Sequence, residues 1–101
     1  MKHLVTLLAI VALTGCISTP MQWGASGGSR ADGIVELSYT YNYMQKPITS
    51  EVQGRLRAAQ MCLAWGYVNG VEPMDVDERK CESSSYNGCD LWRVTRKYQC
   101  L

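Results

Sequence analysis

Apolar and polar residues alternate along two stretches of the chain, and a period of two is typical of strands with one buried face. In residues 33–44 the apolar positions are Val35, Leu37, Tyr39, Tyr41 and Tyr43. In residues 91–101 they are Trp92, Val94, Tyr98 and Cys100, and Arg96 interrupts the set. Both stretches therefore predict strands whose apolar positions form the core face of a sheet.

The stretch between them has the helical period. Ser50 is a good N-cap residue, and Gln53 completes a capping box with it. The apolar positions at helical spacing are Val52, Leu56, Ala59 and Leu63, with Cys62 beside them. The spacing predicts a helix over 51–65 that buries this stripe and ends at Gly66, although Gly54 weakens its first turn.

Tyr67, Val68 and Val71 predict a further short strand after the helix. The order of these elements predicts an α+β fold in which one helix packs on a small antiparallel sheet in the order β-α-β-β.

The N-terminal 15 residues have the pattern of a signal peptide. Lys2 and His3 precede an apolar run from Leu4 to Leu13. A helix that spans a bilayer needs about 20 apolar residues, so this run is too short to be one. Residues 1–15 are therefore predicted to be removed after secretion.

The tetrad Leu13-Thr14-Gly15-Cys16 resembles the bacterial lipoprotein signal. This resemblance implies cleavage between Gly15 and Cys16 and attachment of lipid to the Cys16 thiol. Two or three acyl chains anchor a protein far more firmly than one. The resemblance also implies an outer-membrane location facing the periplasm, because Ile17 stands where an Asp marks inner-membrane retention. The alternative is an ordinary secreted protein with a chance cysteine.

Residues 16–32 are rich in Gly and Ser, which predicts a flexible tether. Trp23 is the exception, and either the lipid interface or the folded domain is a suitable place for it. Residues 33–101 are then the folded domain.

Removal of residues 1–15 changes the charge and the candidate chemistry. The ten Lys and Arg lose Lys2, so nine remain against nine Asp and Glu. This balance leaves no excess of basic residues to suggest nucleic-acid binding. His3, the single histidine, is removed as well. Histidine-based catalysis and histidine metal ligation are therefore excluded, and no metal, cofactor or small-molecule substrate is expected.

Four cysteines remain after Cys16, and an even number in an oxidising compartment predicts two disulfides. We favour Cys62 with Cys100 and Cys81 with Cys89, because Cys62 borders the predicted helix stripe and Cys100 lies on the apolar strand face. The competing pattern joins Cys62 to Cys81 and Cys89 to Cys100. The spacings lack the C-x-x-C pairs typical of zinc sites.

Several features together resemble the YecR-like lipoproteins. They are the lipoprotein tetrad, the strand opening at Gly33, the helix with Ala59 and Cys62 before Gly66-Tyr67, the Cys81 and Cys89 pair, and the final Tyr98-Gln99-Cys100. The resemblance implies a small bacterial envelope lipoprotein, and some members are associated with flagellar regulons. It implies no catalytic residue.

The sequence favours a non-catalytic protein that is held on the membrane and binds an envelope protein or the cell wall. One alternative is an inhibitor of a cell-wall hydrolase such as lysozyme, with the loop from Cys81 to Cys89 as the inserting element. Another is an enzyme that uses Asp75 and Glu78 as paired carboxylates, but no apolar pocket is evident there to raise a pKa.

Overall fold

The computed structural model describes residues 17–101, without the side chain of Ile17. The predicted signal peptide 1–15, the cleavage site at Gly15–Cys16 and the lipidation site Cys16 lie outside the described residues. Within them, no helix is long and apolar enough to cross a membrane.

Residues 17–101 form one helix and seven strands. The helix is α1, Glu51–Ala64. The strands are β1 Ile17–Pro20, β2 Gly24–Ser29, β3 Ile34–Asn42, β4 Gln45–Ile48, β5 Val71–Pro73, β6 Glu78–Ser85 and β7 Gly88–Cys100.

Five strands form an antiparallel sheet in which β7 is central. On one side β7 pairs with β3, whose outer edge carries β2. On its other side β7 pairs with β6 along its first part and with β5 at its last three residues. The strands β1 and β4 form a separate parallel pair. The α+β class, one helix on a mostly antiparallel sheet, is confirmed, whereas the order β-α-β-β omits several of these strands.

The alternating patterns of β3 and β7 correspond to their burial. Val35 and Leu37 of β3 and Val94 and Tyr98 of β7 are buried in the core beneath the helix. Tyr43 is different, because it lies in the turn after β3 and is exposed. The prediction of a buried face is therefore correct for the strands but not for Tyr43.

The helix begins and ends where its capping residues predict. The Ser50 hydroxyl accepts a hydrogen bond from the Gln53 backbone N–H at 3.2 Å. At the other end, Gly66 has a φ of 95°, a conformation that residues with a Cβ rarely adopt. The backbone N–H of Tyr67 then donates to the Cys62 carbonyl at 2.9 Å, which closes a Schellman motif.

The predicted buried stripe of the helix is wrong for its three large residues, whereas Ala59 is half-buried against the core. Val52 is 68% exposed, and Leu56 and Leu63 are also exposed. The buried positions are the small residues Gly54, Ala58 and Cys62, which repeat every four residues. Small residues bring the helix backbone close to the large aromatic side chains that already fill the sheet face, so residue size outweighs hydrophobicity here.

The predicted flexible tether also differs from the structure. Most of residues 17–32 lie in β1 and β2, and Trp23 between these strands is only 2% exposed. The Trp23 backbone N–H donates to the Gln53 side chain at 2.8 Å, and the Gln53 amide donates back to the Trp23 carbonyl at 3.1 Å. A segment held by a buried indole and by strand pairing belongs to the fold.

The four cysteines of the described chain lie in two pairs at disulfide distance, Cys62 with Cys100 and Cys81 with Cys89. The first pair joins the helix to the last residue of β7 and is buried. The second joins β6 to β7 across their hairpin.

Candidate functional site

The helix covers one face of the sheet, and the opposite face holds a cleft of about 460 Å³. Its lining is polar and strongly charged: Ser26, Glu36, Glu78, Lys80, Glu82, Arg93 and Thr95. The strand registers explain this grouping, because Glu78 pairs with Thr95, and Lys80 pairs with Arg93. We call this set of residues the open-face cleft.

Arg93 is fixed in the cleft by two contacts. Its guanidinium donates to Glu82 and, at 2.9 Å, to the hydroxyl of Ser38. Ser38 is buried beneath it on β3. The two contacts join β7 to β6 and to β3.

The other charges in the cleft differ in whether they form ion pairs. Glu78 and Lys80 form no ion pair within the described residues, while Glu36 lies 3.7 Å from the Lys97 ammonium. Mixed, exposed charges of this kind suit the recognition of a polar protein or polysaccharide surface. The Ser26 hydroxyl is occupied, since it donates to the Glu36 carbonyl at 3.3 Å.

The structure does bring together the predicted carboxylates Asp75 and Glu78. They line a depression of about 60 Å³ with Val76, Thr95 and Lys97. Both acids are exposed. The apolar residue of this lining, Val76, is itself 92% exposed.

Arg96 forms the most extensive polar contacts of the described chain, on the helix side of the sheet. Its guanidinium donates to both Asp77 carboxylate oxygens, at 2.6 and 2.8 Å, and to Glu51 at 2.8 Å. It also lies 4.6 Å from the ring centroid of Trp23. The pKa of Arg96 is raised above its ordinary value, chiefly by the hydrogen bonds to Asp77.

This Arg96 cluster is structural. It joins the first turn of α1, the loop before β6 and the middle of β7. The sequence pattern identified Arg96 only as an interruption of an apolar face. Its partners lie 45 and 19 residues away along the chain, so no local pattern indicates them.

The hairpin closed by Cys81 and Cys89 lies at one end of the sheet. Residues 82–88 are exposed, and Tyr86 at its turn is 98% exposed. Next to the hairpin, Arg79 lies 3.8 Å from the ring centroid of Trp92. The loop from Cys81 to Cys89, which the sequence suggested as an inserting element, is thus a projecting β-hairpin.

The part of the chain that the structure describes contains no group of three or more His, Cys, Asp or Glu arranged to hold a metal ion. The buried polar residue Ser38 accepts the hydrogen bond of Arg93 described above.

The family model of the YecR-like lipoproteins matches residues 22–101. The match begins one residue before Trp23 and includes β2, so it includes most of the segment that composition had assigned to a tether. No curated protein matches the chain.

Proposed function

Because the chain belongs to the YecR-like lipoprotein family, we propose that it is a non-catalytic accessory protein of the bacterial envelope. In this proposal residues 1–15 are a signal peptide, cleavage follows Gly15, and Cys16 carries the lipid. The protein is held on the periplasmic side of the outer membrane and serves a motility-associated process. The family match is the observation that supports the anchor.

The binding role is supported by the open-face cleft. It is the charged face of a sheet whose other face is occupied by the helix, and Glu78 and Lys80 in it have no ion-pair partner among the described residues. We propose that an envelope protein or the cell wall binds there.

The anchor is tested by metabolic labelling with an alkyne-bearing palmitate. Labelling of the wild-type protein and loss of label in Cys16→Ser are expected, together with release of the variant from the membrane fraction. An unlabelled wild-type protein would contradict the anchor.

The binding face is tested by crosslinking in cells, followed by mass spectrometry of what co-purifies. Lys80→Glu reverses a charge in the cleft, and Arg57→Glu makes the same charge change on the exposed helix surface. We expect the crosslinked partner to be lost in Lys80→Glu and kept in Arg57→Glu. Equal loss, or no loss, in both variants would reject the cleft as the binding face.

Inhibition of a cell-wall hydrolase is the second candidate function. The projecting hairpin with its disulfide and its exposed Tyr86 is the observation that favours it. Lysozyme activity should then fall in the presence of the purified protein, and Tyr86→Ala should restore it. Unchanged lysozyme activity at excess protein would reject this candidate.

A further inference from the structure

One end of the sheet exposes three large side chains, Tyr43, Met44 and Tyr86, which we call the tip. Tyr43 and Met44 form the turn from β3 to β4, and Tyr86 lies in the turn from β6 to β7. Both turns are at the same end, because Asn42 pairs with Leu91 on β7, close to the start of that strand. Tyr43 and Asn87 accordingly line one depression of about 240 Å³.

The tip is uncharged. Residues 42–45 and 85–89 contain no Lys, Arg, Asp or Glu, in a chain that is 19% charged. The nearest charge along β4 is the exposed cation Lys46. On β7, Asp90 is only half exposed and accepts a hydrogen bond from the Ser85 hydroxyl at 3.3 Å. Apolar and tyrosine side chains beside a cation suit the interface of an anionic bilayer.

The path of the chain brings its N-terminal side to this end. β1 runs parallel to β4, and Ile17 pairs with Gln45, the residue after Met44. Ile17 is the first residue that the structure describes, and Cys16 directly precedes it in the sequence. A lipid on Cys16 would therefore start beside the tip, with no linker between the anchor and the first strand.

We propose that the tip is a membrane-contact surface and that Tyr43, Met44 and Tyr86 enter the interfacial region of the bilayer. This inference rests on the proposed lipidation of Cys16. A lipid on Cys16 would hold this end of the sheet against the bilayer. We therefore infer that the tip contacts the bilayer and not a soluble protein. Contact through the side chains of two turns, in addition to the lipid, fixes the tilt of the domain, so the strands extend away from the bilayer and the open-face cleft stays accessible to a partner in the periplasm.

The test uses the lipidated protein in vesicles of phosphatidylethanolamine and phosphatidylglycerol, with and without brominated acyl chains that quench tryptophan. Tyr43→Trp and Tyr86→Trp place the probe in the tip. Val68→Trp is the matched control, because Val68 is 72% exposed and lies at the other end of the sheet, where Asn69 bonds to Leu101. Emission is compared with that of the wild-type protein, which contains three tryptophans.

We expect the brominated lipids to quench the added emission of both tip variants and to leave that of Val68→Trp unchanged. Two results would overturn membrane contact by the tip and leave the lipid anchor intact. One is equal quenching at the two ends of the sheet, and the other is no quenching at either end while the protein floats with the vesicles. A protein that carries no lipid on Cys16 and does not float would overturn the anchor and the tip together. Tip emission that changes on addition of lysozyme, and not with brominated lipid, would assign the hairpin to a protein partner and overturn membrane contact.

Discussion

Gly54 faces the indole of Trp23 so closely that a Cβ at position 54 would lie 2.9 Å from the Trp23 Cδ1 atom. The same Cβ would lie 3.0 Å from the Tyr98 hydroxyl oxygen. The helix thus packs on two buried aromatic rings through a position that has no side chain. This contact explains why a glycine stands inside an otherwise regular helix.

Gly54→Ala should therefore destabilise the protein. Alanine favours a helix by about 1 kcal/mol over glycine. Overpacking a dense core costs about 1–3 kcal/mol, and the two rings have little room to move. We expect a net loss of about 1 kcal/mol in the free energy of unfolding, measured with urea and circular dichroism. Gln60→Ala, on the exposed side of the same helix, should change it by less than about 0.5 kcal/mol. A more stable Gly54→Ala protein would contradict this packing.

Arg96→Gln should destabilise the protein more than Arg93→Gln does. The Arg96 side chain is 13% exposed and bonds to two carboxylates, whereas the Arg93 side chain is 40% exposed. Charged hydrogen bonds of a sheltered group contribute about 1.5–3 kcal/mol, and an exposed ion pair contributes about 1 kcal/mol or less. Urea unfolding of the two variants measures the difference.

Arg96→Lys supplies a control for charge alone. Lysine keeps the positive charge but loses the paired contact with Asp77 and the contact of the guanidinium with the Trp23 ring. Its stability should fall between those of the wild type and Arg96→Gln. A wild-type stability of Arg96→Lys would show that charge, and not the shape of the guanidinium, is what matters.

The disulfide between Cys62 and Cys100 should contribute more stability than that between Cys81 and Cys89. The two bonds span 38 and 8 residues. The chain-entropy model gives about 4 kcal/mol for the long loop and about 2.5 kcal/mol for the short one. Double Cys→Ser variants of each pair, compared by urea unfolding, test the order. Peptide mapping that finds Cys62 linked to Cys81 would reject both assignments.

The sequence predicts β3 and β7 well for a physical reason. Each central strand has one face against the helix, so its burial alternates and leaves a period of two in the residues. By contrast, β2 has the sequence Gly-Ala-Ser-Gly-Gly-Ser and pairs with β3 through its backbone. Backbone pairing at a sheet edge needs no apolar side chain, so this strand resembles a linker in composition.

The helix and the open-face cleft show two further limits of prediction from the pattern of apolar and polar residues. A stripe of large apolar residues predicts burial only where the opposing surface has room, and Trp23 and Tyr98 already fill that space above Gly54. The cleft depends on the pairing of β6 with β7, which brings Lys80 beside Arg93. Residues 82–85 of β6 are exposed and polar, so they leave no alternation from which the strand could be recognised.

Tyr39 should contribute to a fall in the stability of the protein as the pH rises above about 10. Burial, followed by the neighbouring Tyr41 and Asp77, raises the pKa of Tyr39 above its ordinary value of 10.0. Above about pH 10 the unfolded chain releases this proton before the folded chain does, so the unfolded state binds fewer protons and stability falls as pH rises. The stabilisation by Tyr39 is complete below the pKa that this residue has in the unfolded chain. It is lost as pH rises through the pKa of Tyr39 in the folded chain. Urea unfolding between about pH 8 and 11 should show a flatter decline in Tyr39→Phe. Tyr86→Phe, at the exposed hairpin turn, is the matched control for the loss of one phenol. An unchanged slope in Tyr39→Phe would mean that this half-buried phenol does not control alkaline unfolding.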